Sequence, residues 1–162
     1  MGAAIYPPPA ALTSTLVAFQ NCEQIPTQDY FINEGMQFTQ TFKAQANRIY
    51  KVTFTMANVD TDGVTGSTYV AKTSAITICR HAFGTSVSTS STEIGQIHTA
   101  VFGDDSLRNS GVHATFWIEN PPEGNNTIGI SLKAAHTTQG GVRYLAYGNG
   151  NRLAIEDAGP AL

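Results

Sequence analysis

The feature that most constrains the fold is a strict alternation of apolar and polar residues, which recurs in three separate stretches. The first, "RIYKVTFTMAN" at residues 48–58, places an apolar side chain at every second position from Tyr50 to Met56. The stretches "GVHATFWIEN" (111–120) and "NTIGISLKAA" (126–135) repeat this pattern. Because successive side chains of a strand point to opposite faces, the two-residue period predicts strands with one buried and one exposed face.

Shorter stretches with a similar pattern extend the prediction to nine or ten strands. They are residues 15–20, 36–43, 67–72, 75–80, 93–102, 142–147 and 152–157. Turn-forming residues separate them at 62–63, 120–124, 140–141 and 148–150. No stretch keeps a helical period for three turns, and only 102–108 is a candidate for a short helical turn. Short antiparallel strands at this spacing predict an all-β, antiparallel β-sandwich of jelly-roll type.

The first twelve residues differ from the rest of the chain because they contain the motif "YPPPA" at 6–10. Consecutive prolines favour an extended conformation and cannot pair in a central strand. We therefore expect an extended arm, residues 1–12, outside a β-sandwich domain of residues 13–162. Proline lowers the entropy lost on docking, so we expect the arm to bind a neighbouring subunit through Tyr6, Pro7, Pro8 and Pro9.

The last fourteen residues, "NGNRLAIEDAGPAL", predict a strand followed by a stop. Leu153 and Ile155 fall on one face of this strand, and a terminal strand fixes the end of a chain. Pro160 has no backbone N–H and cannot extend the ladder, so we expect the strand to end near Asp157. Glu156 and Asp157 point to opposite faces and cannot act as an acid–base pair on one substrate.

Charge and composition argue against several classes of function. Only 13% of the 162 residues are charged and the net charge is −3, without a cluster of Lys or Arg, so we expect no nucleic-acid partner. No apolar run approaches the roughly 20 residues of a membrane span, and the start of the chain lacks a signal-peptide pattern. Without a secretory context, Cys22 and Cys79 are interpreted as buried free thiols rather than a disulfide.

The motif "NVDTDG" at 58–63 is the sharpest candidate for a metal site. Asn58, Asp60 and Asp62 match the first half of a calcium-binding loop. The second half fails, because Tyr69 stands where a bidentate Glu is required. Asp-Gly is also common hairpin-turn chemistry, so the turn interpretation is favoured over the metal site.

The residue patterns of catalytic sites are missing from the sequence. The four histidines, His81, His98, His113 and His136, do not have metal-ligand spacing. Neither a nucleophile motif nor a phosphate-binding Gly loop occurs. We therefore expect a non-enzymatic protein without a cofactor.

Outward-facing aromatic residues are the remaining binding candidates. Trp117 falls on the polar side of its strand, and Tyr144 and Tyr147 lie close to the chain end. Such side chains can anchor a subunit contact, pack beneath a second sheet, or stack on a sugar ring. A surface rich in Ser, Thr, Asn and Gln suits either subunit packing or a carbohydrate-facing surface.

The order of the motifs resembles small β-sandwich domains of tailed-phage virion proteins, in particular C-terminal domains of actinobacteriophage minor tail proteins. The resemblance covers residues 35–160 and includes "NRIYKVTFTMAN", "AITICR", the strand "TIGISLKA" and the final "LAIEDAGP". It implies a non-enzymatic structural subunit of a tail or tail tip that mediates assembly or host contact. The chain differs from the commonest case because no fibre or coiled coil precedes the domain, which leaves a capsid decoration protein as the alternative.

The partners that this resemblance implies are other virion proteins and further copies of the chain, as a homo-oligomer that could be a trimer. A carbohydrate-binding module that contacts a host surface glycan is the further alternative. The expected location is the virion, on the tail or the capsid surface, after assembly in the host cytoplasm.

Overall fold

A computed structural model describes residues 15–23, 30–62, 73–100, 110–138, 140–145 and 150–161. These ranges form strands without any helix. The nine strands are β1 (Thr15–Asn21), β2 (Gly35–Ala44), β3 (Arg48–Asp62), β4 (Ala75–Phe83), β5 (Thr92–Thr99), β6 (Ser110–Glu119), β7 (Gly124–Ala134), β8 (Gly141–Leu145) and β9 (Arg152–Pro160).

Two antiparallel sheets pack face to face. Sheet A has the strand order β1-β9-β3-β6, with β8 also paired to β3, and sheet B has the order β2-β7-β4-β5. If β8 and β9 are counted as one interrupted strand, this is the order of an eight-stranded jelly roll. The predicted antiparallel β-sandwich of jelly-roll type is therefore confirmed.

The interruption between β8 and β9 is closed by Asn151. Both strands pair with the same edge of β3, because Val59 of β3 pairs with Ser110 of β6 on one side and with Tyr144 of β8 on the other. Where the β8 ladder ends and the β9 ladder begins, the buried Asn151 side chain accepts a hydrogen bond of 2.7 Å from the Ala57 N–H. Its carbonyl accepts another from the Cys22 N–H at 3.0 Å. One residue, through its side-chain oxygen and its backbone carbonyl, thus joins β3 and the end of β1 across the gap.

The core lies between the sheets and consists of the apolar residues that the alternation predicts. Tyr50, Val52, Phe54 and Met56 of β3 are fully buried. Opposite them lie Ile128, Ile130 and Leu132 of β7, Phe38 and Phe42 of β2, and Cys79 of β4.

Both thiols are buried and free, as interpreted from the sequence. Burial raises the pKa of Cys22 to about 12 and also raises the pKa of Cys79, so both remain protonated at neutral pH.

Two strand ends differ from the predictions. The stretch 58–62 belongs to β3 and pairs with β8, so the strand runs to the start of the turn predicted at 62–63, whose second residue lies outside the described part of the chain. The last strand does not stop near Asp157 but continues to Pro160, which pairs with Arg48. A proline is tolerated there because the described β1 ladder ends at Asp157, so Pro160 lies on a locally unpaired edge of β9 within the described residues. Asp157 also holds this end, since its Oδ1 accepts the Gly159 N–H at 3.0 Å.

The middle of β7 also differs from the predicted half-buried strand, because Asn126 to Leu132 are buried on both faces. A Cβ atom at Gly129 would lie 2.7 Å from Met36 Sδ and 2.9 Å from Val87 Cγ1, so chain segments lie directly against the outer side of this strand. The predicted strand at 67–72, the helical turn at 102–108 and the arm at 1–12 fall outside the described residues.

Candidate functional site: the outer face of sheet A

The outward side chains of β1, β9, β3 and β6 form a regular grid on sheet A. The strand registers align them in three rows, each crossing all four strands. The rows are Leu16, Glu156, Lys51 and Trp117; Phe19, Ala154, Thr53 and Thr115; and Asn21, Arg152, Thr55 and His113.

A groove of about 390 Å³ lies over this grid and is lined by every member except Asn21, Thr55 and Trp117. We call it the sheet A groove. Its floor is formed by the small side chains of the middle row, Ala154, Thr53 and Thr115, because larger side chains flank them. Phe19 (53% exposed) and Leu16 (56% exposed) form the wall on the β1 side. Its volume is in the range of small-ligand sites.

The charges in the groove are unevenly paired. At one end Lys51 Nζ lies 2.9 Å from Glu156 Oε2, which neutralises both groups. At the other end His113 Nδ1 lies 3.0 Å from Thr55 Oγ1, and Arg152 has no ion-pair partner among the residues that the structure describes. The floor also contains the Thr53 Oγ1 atom, which is buried and has no hydrogen-bond partner. The groove therefore combines an apolar wall, a polar floor and one cationic end.

The edge of sheet A beside the groove is apolar and uncharged. In β1, "TLVAFQN", Leu16, Val17 and Phe19 are 56%, 38% and 53% exposed, and no charged residue, Pro or Gly interrupts them. Within the described ranges β1 pairs only with β9. Its other edge is therefore not paired with any described strand. The strand contains one bulge, at Val17. Apolar edge strands of this kind are templates for pairing with another chain.

Of the predicted aromatic candidates, Trp117 is on this face and Tyr144 is not. Trp117 is 50% exposed and lies beside Lys51 in the first row. The expectation that Tyr144 faces outward is wrong, because Tyr144 is fully buried between the sheets and its hydroxyl lies 2.6 Å from Thr77 Oγ1. Burial raises the pKa of Tyr144. Tyr147 and the arm residues Tyr6, Pro7, Pro8 and Pro9 lie outside the described residues.

Of the three metal candidates, Asp60 is engaged in other contacts. Asp60 Oδ2 accepts hydrogen bonds from the Tyr30 hydroxyl at 2.9 Å and from Arg143 Nε at 3.0 Å. Asn58 lies in the same strand, and the side chain of Asp62 is outside the described part of the chain. Within that part, no group of three or more His, Cys, Asp or Glu residues could hold a metal ion. Asp60 thus serves as the anion of an ion pair.

Sequence reasoning missed Phe19 and Arg152, which together give the groove its chemical character. Each falls within a strand that was predicted; Phe19 alternates with the half-buried Ala18 and Gln20, and Arg152 precedes the core residue Leu153. Their proximity follows from the β1–β9 pairing, in which Phe19 opposes Ala154 and Asn21 opposes Arg152. This pairing joins segments more than 130 residues apart, and the residue pattern of one strand does not reveal its partner.

The fold and the site together define a jelly-roll β-sandwich with an uncovered, grooved sheet face and an apolar edge. The chain belongs to the family described as Domain of unknown function (DUF7298), whose model matches residues 1–162. No curated protein matches the sequence. The described residues contain no helix long and apolar enough to cross a membrane.

Proposed function

We propose that this protein is a non-enzymatic structural subunit of a tailed-phage virion, a minor tail or tail-tip component that self-associates through the edge of β1. Its partners are further copies of the chain and other virion proteins. Its location is the virion, on the tail or on the capsid surface, after assembly in the host cytoplasm.

The observation that supports this proposal is the composition and exposure of β1. Natural proteins commonly protect an edge strand with charge, with proline or by covering it. β1 has a bulge but no charge, and Leu16, Val17 and Phe19 remain exposed. Burying such a strand against a second copy removes apolar surface from water and desolvates no charged side chain of β1, so association is favourable.

Two further observations agree with a structural subunit. Jelly rolls build viral capsid and lectin domains, which supports the proposal by analogy of fold. In addition, the ordered ion pairs on this sandwich connect strands to one another, as Arg48 does with Asp157 and Arg143 with Asp60. This arrangement stabilises a scaffold.

The N-terminal arm remains a second contact in this proposal. Residues 1–12 precede β1 in the sequence, so an arm that docks on a neighbour would start from the same edge of sheet A that self-associates. The contacts expected of Tyr6, Pro7, Pro8 and Pro9 stay predictions.

The test is the mass of the purified protein in solution, measured by light scattering over a range of concentrations. We expect the wild type to form a dimer or larger oligomer, and Val17→Lys to be monomeric because a charge on an edge strand disfavours pairing. Phe83→Lys is the matched control, since Phe83 is a 63% exposed apolar residue at the end of β4 and should leave the mass unchanged.

A third sample without residues 1–10 distinguishes the contribution of the arm to self-association from that of the β1 edge. If the arm contributes, its removal lowers the oligomer mass while Val17 is intact. A wild type that stays monomeric at every concentration, or a Val17→Lys variant with an unchanged mass, would contradict self-association through β1.

Capsid decoration remains the alternative location, and the same edge would serve it. A glycan-binding module is a second candidate function, which the sheet A groove favours because it places exposed Phe19 beside polar groups.

A further inference from the structure

Arg152 differs from the other arginines that the structure describes. Arg48, Arg80 and Arg143 each contact a carboxylate, on Asp157, Glu34 and Asp60. Arg152 is exposed, lines the sheet A groove and has no such partner among the described residues. A guanidinium presents a planar set of donors that matches a carboxylate or a phosphate. The cationic end of the groove is therefore complementary to an anionic group.

The remaining lining residues of the groove favour a ligand whose uncharged part is a sugar ring. Phe19 offers an aromatic ring at one wall, and the exposed Thr115 and His113 side chains supply polar groups beside it. An aromatic ring beside closely spaced polar groups suits a sugar ring, which has an apolar face and a rim of hydroxyl groups.

The charged residues also make the two ends of the groove different. Glu156 is the only acidic side chain among the lining residues, and it is already paired with Lys51. It lies four residues from Arg152 along β9, which is about 13 Å in an extended strand. An anionic group bound at Arg152 and His113 is thus well separated from the one carboxylate in the groove.

We propose that the sheet A groove binds a carboxylate-bearing sugar, with the sugar ring against Phe19 and its carboxylate on Arg152. This inference deepens the glycan-binding candidate and does not depend on self-association through β1. The fork geometry with which Arg80 already holds the Glu34 carboxylate in this protein is the geometry expected at Arg152.

The test is an NMR titration of the ¹⁵N-labelled full chain with three probes: glucuronic acid, glucose and glucose 6-phosphate. We expect glucuronic acid to shift resonances of the groove residues and to bind about tenfold more tightly than glucose, because one charge-assisted contact is gained. Arg152→Gln should remove this difference. Lys43→Gln, which deletes one positive charge from β2 of the other sheet, should preserve it.

Three outcomes would overturn the proposal: no shifts in the groove, equal affinity for glucuronic acid and glucose, or a preference for glucuronic acid that survives in Arg152→Gln. Tighter binding of glucose 6-phosphate than of glucuronic acid would overturn the assignment of a carboxylate. The titration is repeated on Val17→Lys, whose substituted residue does not line the groove. If the monomeric Val17→Lys variant still binds the sugar, sugar binding does not require self-association through β1. Each of these two proposals can then fail without the other.

Discussion

The outer faces of the two sheets differ in what lies on them. On sheet B, the segment 84–91 and residues near Glu34 lie against β4 and β7, so that Ser131 and Ile78 are fully buried although they point away from the core. On sheet A, Leu16, Phe19 and Trp117 are each at least half exposed. The same jelly roll therefore has one outer face closed by its own chain and one left accessible.

The closed face is held by a polar network centred on Arg80. Its Nε and Nη2 atoms donate hydrogen bonds of 2.7 Å to the two oxygens of Glu34, and Nη1 donates to the Ser91 carbonyl at 3.0 Å. Ser131 donates a further bond of 2.5 Å to Glu34 Oε1. Every member of this network is a residue of the chain itself, so the network fastens two covering segments to sheet B.

The comparison separates two kinds of arginine: Arg80 fastens the covered face of sheet B, and Arg152 lies in the open sheet A groove. An arginine whose fork is filled by a neighbouring carboxylate stabilises the fold, whereas an arginine that points into an open groove is available to a ligand. The two guanidinium groups, Arg80 and Arg152, have the same chemistry and differ in their surroundings.

The largest expected effect separates these two arginines. Arg80→Ala leaves the largely buried Glu34 carboxylate without its partner and should lower the free energy of unfolding by about 3 kcal/mol. Arg152→Ala changes an exposed side chain and should alter it by no more than about 0.5 kcal/mol. Urea unfolding of both variants measures the difference. Equal destabilisation would contradict the different roles assigned to Arg80 and Arg152.

A smaller effect concerns the pH dependence of the closed face. Burial raises the pKa of Glu34, but the hydrogen bonds and charge of Arg80 together with Ser131 outweigh it, and the pKa lies below its usual value of 4.5. As the pH falls below 4.5, the unfolded chain takes up a proton at Glu34 before the folded chain does, so stability is lost. Above 4.5 this contribution is fully present.

Urea unfolding at pH 7, 5 and 3 measures this contribution. We expect the gap in unfolding free energy between wild type and Glu34→Gln to shrink towards pH 3. Glu119→Gln, at an exposed position on β6, is the control and should track the wild type at every pH. A gap that is constant with pH would contradict the assigned role of Glu34.

The alternation of residues was sufficient to predict the fold, because each strand of a sandwich shows its own core-facing residues by their two-residue spacing. Tyr50, Val52, Phe54 and Met56 are all buried as their spacing requires. Tyr144 follows the same period, since it is buried beside the half-buried Arg143, although its place near the chain end predicts an outward-facing aromatic.

The groove could not be predicted because it depends on register between distant strands. Phe19, Arg152 and His113 belong to β1, β9 and β6. The β1–β9 pairing brings the first two together, and the pairings through β3 bring His113 to the same face. The ion pair of Asp60 with Arg143 has the same origin, since the two residues are 83 positions apart. A pattern within one strand identifies which side chains face outward but not which of them become neighbours.

The central claim, that sheet A carries the contact surface, is tested most directly by hydroxyl-radical footprinting of the wild type at low and high protein concentration. The account predicts that labelling of Leu16 and Val17 decreases as the concentration rises, while labelling of Phe83 on sheet B stays constant. Labelling of Leu16 and Val17 that does not change with concentration, or protection confined to Phe83, would contradict it.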